Sequence, residues 1–327
     1  MSKSRRSRGL SKITEKDELK HEWKKYPEHH NESWYFNSID LKTSTNLITR
    51  VGYRMGTKNI EVMFLIILDK DDDEKNLEYF NRTTIEGYPE DDIYGDEKVK
   101  YQCIEPMKKW RLTFNNEKFE VDVICEKRFP PYIYMSQEDP KEIIEKYGKH
   151  LDKLLKVAAN FHYEQGINIT GVIRVKKNGQ IIEEREVKSR GHRDHSWGTR
   201  DWVLIDGWNW ICCQSNDFTM NFSRVRAFGF VFEHGFISTA DGHEHITNVE
   251  VETEYGFKGN ESVPKSSTFK VTTPSRQFTI ISNTWKSIYM ARPTERGITE
   301  VYEQIVHFDL EGKKGVGISE YMSSTKK

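Results

Sequence analysis

The segment from Gly191 to Trp202 holds acids, guanidinium groups, imidazoles and indoles at a density that packing alone does not require. Arg193, Asp194 and His195 follow one another directly within it. An unpaired buried charge costs several kcal/mol, so these side chains must face water or pair with one another around a cavity. We therefore expect the segment to line a partly enclosed site, together with the tryptophans Trp197, Trp202, Trp208 and Trp210.

Asp194 is the first candidate for a catalytic group in this segment. In a dry, apolar pocket its carboxyl group would stay protonated and act as a general acid. Beside guanidinium and imidazole groups it would instead be an ionised residue that links two strands, and the sequence leaves both readings open. In an extended strand the two faces would carry His192, Asp194 and Ser196 on one side and Arg193, His195 and Trp197 on the other.

A second acid begins a predicted strand, in the run from Asn31 to Phe36. Alternation places Glu32 and Trp34 on one face of that strand. Glu32 is then either a carboxylate at a solvated rim or an acid that faces a cavity with a raised pKa.

A third group of polar side chains lies in the run from Phe161 to Gly166. His162, Tyr163 and Glu164 bring an imidazole, a phenol and a carboxylate to the point where a predicted helix gives way to strands. They either form the polar end of a ligand pocket or satisfy buried backbone groups.

Other chemistries have weaker support in the sequence. His243 and His245 share a strand face, but no cysteine or acid stands at a recurrent ligand spacing, so we expect no metal. The glycines at 312, 315 and 317 precede a strand and lack the strand-to-helix context of a phosphate loop. No Gly-x-Ser-x-Gly elbow is present. We therefore expect no cofactor.

Composition narrows the possible partners. The 327 residues are 36% hydrophobic, 31% charged and 12% aromatic, and the formal net charge is −1. This balance is typical of a globular protein and provides no global field that would attract nucleic acid or an anionic membrane. We expect a neutral or apolar small molecule as the partner and no nucleic acid, while the sequence leaves the oligomeric state open.

Compartment is inferred from the cysteines and the N-terminus. Four cysteines without a metal spacing or an evident disulfide framework favour a reduced, cytoplasmic location. The basic start, Ser2 to Arg8, lacks the apolar region of a secretory signal. The longest apolar run, Val62 to Leu68, is far shorter than the roughly 18 residues of a membrane span, so we expect no stable membrane insertion.

The elements that position these residues are predicted to be mainly strands. Runs rich in Val, Ile, Phe, Tyr and Thr recur from Glu32 onward, and Asn178-Gly179 gives the best hairpin signal. Asp139, Pro140 and Glu142 predict the start of one helix, at about 139–159. The predicted fold is all-β, with two lipocalin-like antiparallel barrels and one linking or lid helix. The predicted division is a basic tail with a short surface helix at 1–28, a first barrel with the helix at 29–160 and a second barrel at 161–327.

These motifs together resemble the lipocalin-like two-barrel family of the hydroxyneurosporene synthases, which are carotenoid hydratases, and related proteins. The resemblance spans residues 29 to 322 and implies two calycin-type barrels with an apolar ligand cavity. It also implies acid-catalysed hydration of an isoprenoid double bond, or cyclisation as in some relatives. A short second half distinguishes this chain from the carotenoid hydratases and argues against a long carotenoid substrate. The matching runs are Asn31 to Phe36, His162 to Gln165, Gly191 to Trp197, Gly207 to Trp210 and Gly315 to Tyr321.

The roles that follow are hypotheses from residue type. Asp194 or Glu32 supplies the proton, and His195 or Glu164 positions water or takes a proton back. Aromatic faces stabilise a carbocation. A non-catalytic carrier of a hydrophobic ligand is the alternative, and an interaction scaffold, the third class, predicts a filled barrel with no ligand volume at all. Convergence of Asp194 and Glu32 on one pocket would favour the enzyme. The predicted binding residues are Trp34, Tyr163, Glu164, Arg193, Trp197, Trp202, Trp208 and Trp210.

Overall fold

Two antiparallel sheets contain most of the residues that a computed structural model describes, namely 13–134, 145–150, 153, 161–258 and 261–327. The first sheet is formed by β1 (His30–Asp40), β2 (Thr45–Arg54), β3 (Asn59–Ile67), β4 (Leu77–Thr84), β5 (Ile93–Gly95), β6 (Val99–Glu105), β7 (Lys109–Asn115), β8 (Phe119–Lys127), β9 (Tyr132–Ile133), β10 (Phe161–Lys177) and β11 (Gln180–Thr199). The second is formed by β12 (Gly207–Gln214), β13 (Thr219–Ala227), β14 (Phe230–Thr239), β15 (Gly242–Ile246), β16 (Asn248–Lys258), β17 (Glu261–Thr272), β18 (Gln277–Thr294), β19 (Gly297–Leu310) and β20 (Lys313–Lys326).

Both sheets follow one topological plan. Their strand orders are β4-β3-β2-β1-β11-β10-β8-β7-β6-β5, with β9 beside β10, and β15-β14-β13-β12-β20-β19-β18-β17-β16. In each sheet the first strand pairs with the last, and the two edge strands are consecutive in the chain. Each sheet curls into a half-barrel, which confirms the predicted all-β, lipocalin-like fold with two barrels.

The hairpin predicted at Asn178-Gly179 is confirmed. Asn178 and Gly179 have positive φ values of 52° and 77°, the conformation that a tight two-residue turn requires. The turn joins β10 to β11, the longest strand of the first sheet. It thereby fixes the register that places Glu164 opposite Asp194.

The boundary predicted at residue 160 falls inside the first sheet. Strands β10 and β11 follow it in the chain, yet they pair with β8, β9 and β1. The sheets therefore divide between Thr199 and Gly207. Hydrophobic patterning could not show this, because strands of either sheet have the same alternation.

The segment before β1 is not the predicted surface helix. Within residues 13–29, which the structure describes, the only helical turn is a 3₁₀ helix, Glu15–Glu18, and Glu18 is fully buried against the first sheet. Polar residues there serve as partners for buried groups, which a solvated face could not do. The predicted helix at 139–159 lies mostly outside the described residues, of which 145–147 are helical. The other 3₁₀ helices are Asp73–Lys75, Gly148–His150 and Trp202–Leu204.

The three largest apolar clusters of the described residues hold the structure together. Trp34, Phe64 and Phe114 belong to the cluster on the inner face of the first sheet, and Phe222 and Phe269 belong to that of the second. Large aromatic side chains thus pack the inside of each half-barrel. A third cluster joins the outer faces of the two sheets, and its buried members include Tyr35, Ile48, Cys212, Ile288, Ile305 and Ile318.

The described helices and cysteines have two further properties. None of these helices has the length and hydrophobicity that crossing a lipid bilayer requires. All four cysteines are free thiols, and Cys125, Cys212 and Cys213 are buried.

Candidate active site

Strand β11 carries the charged segment and lies between β1 and β10 at the centre of the first sheet. The predicted alternation is present, because Arg193 and His195 contact buried acids on the inner face while Asp194 contacts His162 on the outer face. The predicted residues are therefore divided between two places. On the inner face lie Glu32, Trp34, Tyr163, Arg193, His195 and Trp197, whereas Glu164, Asp194, Trp202, Trp208 and Trp210 lie on the side where the two sheets meet.

A buried ion pair forms the first part of an inner-face network. Glu18 accepts hydrogen bonds from both Nη atoms of Arg193. Its carboxylate also accepts from the Tyr163 hydroxyl at 2.6 Å and from Trp110 Nε1 at 2.5 Å. Burial alone would raise the pKa of Glu18, but Arg193 outweighs that effect and lowers it. The pair is thus ionised and satisfied, as a buried charge must be.

Glu32 is the centre of the second part of this network. Its carboxylate lies 2.7 Å from His21 Nδ1 and 3.1 Å from His195 Nε2, and it accepts from the Tyr88 hydroxyl at 2.6 Å. Burial acts to raise the pKa of Glu32, but the hydrogen bonds from His195 and His21 lower it to about 2. Burial lowers the pKa of His195. Glu32 is therefore an ionised acceptor, the opposite of the neutral acid considered from the sequence.

The predicted aromatic residues of the inner face support this network. Trp34 is fully buried and stacks on His195 with ring centroids 4.6 Å apart. Trp197 stacks on His21 at 4.1 Å. The Trp197 stack and a hydrogen bond of 3.1 Å from Trp34 Nε1 to the Glu18 carbonyl hold the segment before β1 against the sheet, and both indoles are enclosed by protein.

On the outer face, a second set of ionisable groups gathers around Glu164. Its carboxylate lies 2.6 Å from His192 Nε2 and 3.0 Å from His162 Nε2, and it accepts from Trp210 Nε1 at 3.0 Å. His162 Nε2 also lies 3.3 Å from Asp194 Oδ2. Because Trp210 belongs to β12, this contact joins the two sheets.

The electrostatics of this group are asymmetric. Burial opposes the charged form of His162, but Asp194 and Glu164 outweigh it and raise the pKa of His162 to about 9. Burial likewise opposes ionisation of Glu164, and the neighbouring His162 and His192 lower its pKa to about 2. His162 is therefore a cation at neutral pH, held between two carboxylates.

A pair of glutamates from the second sheet completes this side. Glu303 of β19 and Glu320 of β20 are register partners, and their side chains hydrogen-bond to each other. The Tyr35 hydroxyl of β1 donates to Glu303 at 3.0 Å. The indole N–H of Trp208 donates to Glu320. We call this set the inter-sheet layer: Tyr35, His162, Glu164, His192, Asp194, Trp208, Trp210, Glu303 and Glu320.

The two facing carboxyl groups cannot both ionise at low cost. Burial raises the pKa of Glu303 well above its ordinary value, and the neighbouring Glu320 raises it further. Burial also raises the pKa of Glu320. Two carboxyl groups in contact share a proton, so one of them stays a neutral carboxylic acid at physiological pH.

Solvent reaches part of this layer. Asp194 and His162 each keep 17% of the side-chain surface exposed, whereas Glu164 has none. Trp208, Trp210 and Glu320 are partly buried. Water therefore has access to the layer from this side.

The structure shows whether the two candidate acids, Asp194 and Glu32, converge on one pocket. Asp194 and Glu32 lie on opposite faces of one sheet, because Glu32 pairs with Trp197 and Asp194 pairs with Tyr35. They do not meet in one pocket. Asp194 instead lies in the layer that also holds Glu303 and Glu320.

Sequence reasoning missed Glu303 and Glu320, although a signal existed. The β19–β20 hairpin turns at Glu311 and Gly312, with φ values of 50° and 92°. A tight turn fixes the register, and this one pairs Leu310 with Lys313 and, further along, Glu303 with Glu320. Like charges directly opposite on neighbouring strands are destabilising, so such a pair indicates a special environment.

Among the described residues, two groups of side chains have donor atoms close enough to hold a metal ion. They are His21 with Glu32 and His195, and His162 with Glu164 and Asp194, whose ligand atoms lie within 4.8 Å of one another. In the first group the donors already hydrogen-bond to each other, so a metal would have to displace protons from them. In the second, the contacts of His162 fall outside hydrogen-bond geometry.

Comparison with protein-family models gives one match, to the domain of unknown function DUF7064, over residues 14–325. That range is nearly the whole chain. The chain belongs to this family. No curated protein sequence matches it.

The DUF7064 chain shares its fold with solved structures that are distant in sequence. An AttH-like protein from Nitrosomonas europaea superimposes with a TM-score of 0.64 at 12% identity, covering 98% of each chain. Kievitone hydratase from Nectria haematococca gives 0.61 at 10% identity, covering 92% of this chain and 91% of the other. CghA gives 0.58 at 11% identity, covering 91% and 89%.

Identities of 10–12% show a common fold, and function does not follow from them alone. The resemblance to two-barrel, lipocalin-like proteins is confirmed at that level. The link to the hydroxyneurosporene synthases themselves stays a prediction.

Proposed function

We propose that this DUF7064 protein binds a hydrophobic small molecule in the inter-sheet layer and hydrates or cyclises it by acid catalysis. The carboxyl pair of Glu303 and Glu320 carries the proposal, because it provides a neutral acid beside two indoles. The ligand lies between the half-barrels in this proposal, since large aromatic side chains pack the described interiors.

The acid step follows from the contacts of the pair. The carboxyl group of Glu303 or Glu320 transfers its proton to one carbon of an alkene, and the positive charge develops on the other carbon. Trp208 and Trp210 lie at the same layer, and their ring faces stabilise a cation. Tyr35 donates a hydrogen bond to Glu303 and Trp208 donates one to Glu320, which lowers the cost of ionising either carboxyl group.

The second step needs water or an internal nucleophile. For hydration, a water oxygen bonds to the cationic carbon and loses one proton, which restores the carboxyl group directly or through Asp194. Asp194 is partly exposed and lies beside the cationic His162, so it is placed to accept that proton. For cyclisation, a second double bond attacks instead, and loss of a proton ends the reaction. Both routes return the protein to its starting protonation state.

The roles of the inner-face residues change in this proposal. Glu32, His195 and Arg193 hold the segment before β1 and do not touch the ligand. Glu164 positions His162 and Trp210.

The substrate class is proposed as isoprenoid or polyketide-like. The name kievitone hydratase describes a hydratase with this fold, and CghA has been solved with Sch210972. Partly buried indoles beside an acid suit a molecule whose reacting part is an apolar double bond.

The test is incubation with a panel of polyprenyl and terpenoid alkenes and alcohols in ¹⁸O-labelled water, followed by mass spectrometry of the products. We expect labelled alcohols, or unlabelled cyclic isomers if the protein is a cyclase. Glu303→Gln should lower the rate at least about 100-fold, the order of a lost general acid. The control is Glu250→Gln, an exposed glutamate of β16. Binding without any product would make the protein a carrier, and full activity of Glu303→Gln would contradict the proposed acid.

A further inference from the structure

Three arginines from both sheets surround one carboxylate at the border of the inter-sheet layer. Arg54 Nε lies 3.0 Å from Glu61 Oε1, Arg292 donates a hydrogen bond to the same carboxylate, and Arg50 Nη1 lies 4.0 Å from Glu61 Oε2. We call Arg50, Arg54 and Arg292 the arginine cluster. With the exposed Arg82, whose Nε lies 3.8 Å from Glu61 Oε1, four cations face one carboxylate, so the cluster has an excess of positive charge without a close anionic partner among the described residues.

These charges are sheltered from solvent. The exposed side-chain fractions are 20% for Arg50, 14% for Arg54 and 34% for Arg292. Burial lowers the pKa of each, and mutual repulsion adds to that effect. Buried guanidinium groups are normally paired, so an excess of them indicates a missing anion.

Two donor atoms of Arg54 lack a hydrogen-bond acceptor among the described residues. Its Nε and Nη2 atoms are buried and form no hydrogen bond with any described residue. Nε is close to Glu61 but poorly aligned with it. These N–H groups are therefore available to an acceptor that the described residues do not provide.

Three small residues lie side by side in the strands next to the cluster. Ser196 of β11 pairs with Ser33 of β1, Ser33 pairs with Gly52 of β2, and Gly52 pairs with Glu61 of β3. A Cβ atom at Gly52 would lie 2.7–2.9 Å from the guanidinium of Arg50. Glycine at this position therefore allows Arg50 to fold over the strand, where its Nη2 donates to Asn31 at 2.9 Å.

The cluster adjoins the acid pair. Arg50 is the register partner of Tyr35, whose hydroxyl donates to Glu303. Neighbouring strands are about 4.8 Å apart, so an anion on the cluster would lie within one small molecule's length of the acid.

We propose that the arginine cluster binds an anionic group, a carboxylate or a phosphate, carried by the hydrophobic ligand of the inter-sheet layer. Guanidinium groups match the planar oxygens of either group. Bound in this way, the anionic end fixes the position of the apolar part against Trp208 and Trp210. This inference rests on the proposed function for the hydrophobic ligand and its place in the inter-sheet layer, whereas anion binding itself is argued from the arginine cluster.

The experiment compares three amphiphiles with the same alkyl chain. Octanoate, octyl phosphate and octan-1-ol are titrated into the full chain at constant ionic strength, with calorimetry and tryptophan fluorescence as readouts. At least one of the anions should bind about tenfold or more tightly than octan-1-ol, the order expected for charge-assisted hydrogen bonds. Tighter binding of octanoate or of octyl phosphate identifies the anion. Equal affinities for all three would overturn the proposal.

Variants then locate the binding. Arg54→Gln should weaken binding of the preferred anion about tenfold. Gly52→Ala keeps every charge but displaces the guanidinium of Arg50, and it should weaken binding about threefold or more. Arg82→Gln is the matched control, because Arg82 lies 3.8 Å from Glu61 but is 58% exposed, and it should change affinity less than about twofold.

Folding and function are separated by design. Thermal melting shows whether each variant is folded. If Arg54→Gln is not folded, the anion affinity of Gly52→Ala decides the outcome. Unchanged anion affinity in folded Gly52→Ala and Arg54→Gln would place binding elsewhere and contradict the proposal. The titration needs no turnover, so anion binding can be present when the labelling experiment gives no product. Likewise, a product can form when neither anion binds more tightly than octan-1-ol.

Discussion

The two faces of the first sheet carry ionisable side chains from the same central strands, but the two sets are arranged in opposite ways. On the inner face, Glu18 and Glu32 each accept several hydrogen bonds and are ionised. In the inter-sheet layer, Glu303 and Glu320 face each other, and one of them remains protonated. The hydrogen bonds of the inner face hold its protons in place, whereas the carboxyl pair of the inter-sheet layer can transfer a proton.

This difference separates carboxyl groups that stabilise the fold from those that can take part in a reaction. A carboxylate with full hydrogen bonding in a dry interior stabilises its surroundings and is a poor acid. A carboxyl pair with a shared proton beside solvent-accessible groups costs stability and can donate a proton. The density of charged residues in the sequence indicates candidate site residues on both faces of the first sheet. Only the pairing of the strands shows which candidates lie on which face.

The largest expected effect is on the inner face. Glu18→Gln leaves Arg193 buried without its counter-ion, so we expect a loss of about 3–5 kcal/mol in the free energy of unfolding. Urea denaturation at pH 7 measures it. Glu15→Gln, in the same 3₁₀ helix but exposed, is the control. A loss below about 1 kcal/mol for Glu18→Gln would remove the structural role assigned to this network.

A somewhat smaller effect concerns Glu32. A pKa lowered from 4.5 to about 2 corresponds to about 3 kcal/mol of stability, present above pH 4.5 and lost as the pH falls toward 2. We expect Glu32→Gln to lose about 2–3 kcal/mol at pH 7 and to match the wild type near pH 2. Denaturation across this pH range checks it, with the exposed Glu28→Gln as control. A difference that is independent of pH would mean that Glu32 is not ionised by its histidines.

The smallest stability change is expected in the inter-sheet layer, and with the opposite sign. The pKa of Glu303 is raised, so its contribution is most favourable below pH 4.5 and falls as the pH rises. Glu303→Gln removes that cost and should stabilise the protein by about 1 kcal/mol at pH 8, with a smaller gain at pH 4.5. Denaturation at the two pH values measures the difference, and Glu250→Gln should show none. Destabilisation that grows with pH would indicate an ionised Glu303.

Much of the fold is predictable from the sequence, and particular residues show why. Alternating apolar residues predict strands such as Leu77–Thr84, and Asn178-Gly179 predicts the turn of the β10–β11 hairpin. Alternation also places Arg193 and Asp194 on opposite faces of β11. These are local properties, which neighbouring residues determine.

The assembly of the site is not local. Glu18 reaches Arg193 across 175 positions of the chain, and Tyr35 reaches Glu303 across 268. No periodicity in the sequence encodes such contacts. They follow from which strand pairs with which and from how the sheets pack, so Asp194 and Glu32 looked like partners although the sheet separates them.

Infrared difference spectroscopy tests the shared proton most directly, and it needs no substrate. The spectrum of Glu303→Gln is subtracted from that of the wild type at pH 7, and the measurement is repeated in heavy water. We expect a carbonyl band of a protonated carboxyl group in the wild type that shifts in heavy water and is absent from Glu303→Gln. A difference spectrum that contains only carboxylate bands would show that Glu303 is ionised, and it would contradict the proposed acid.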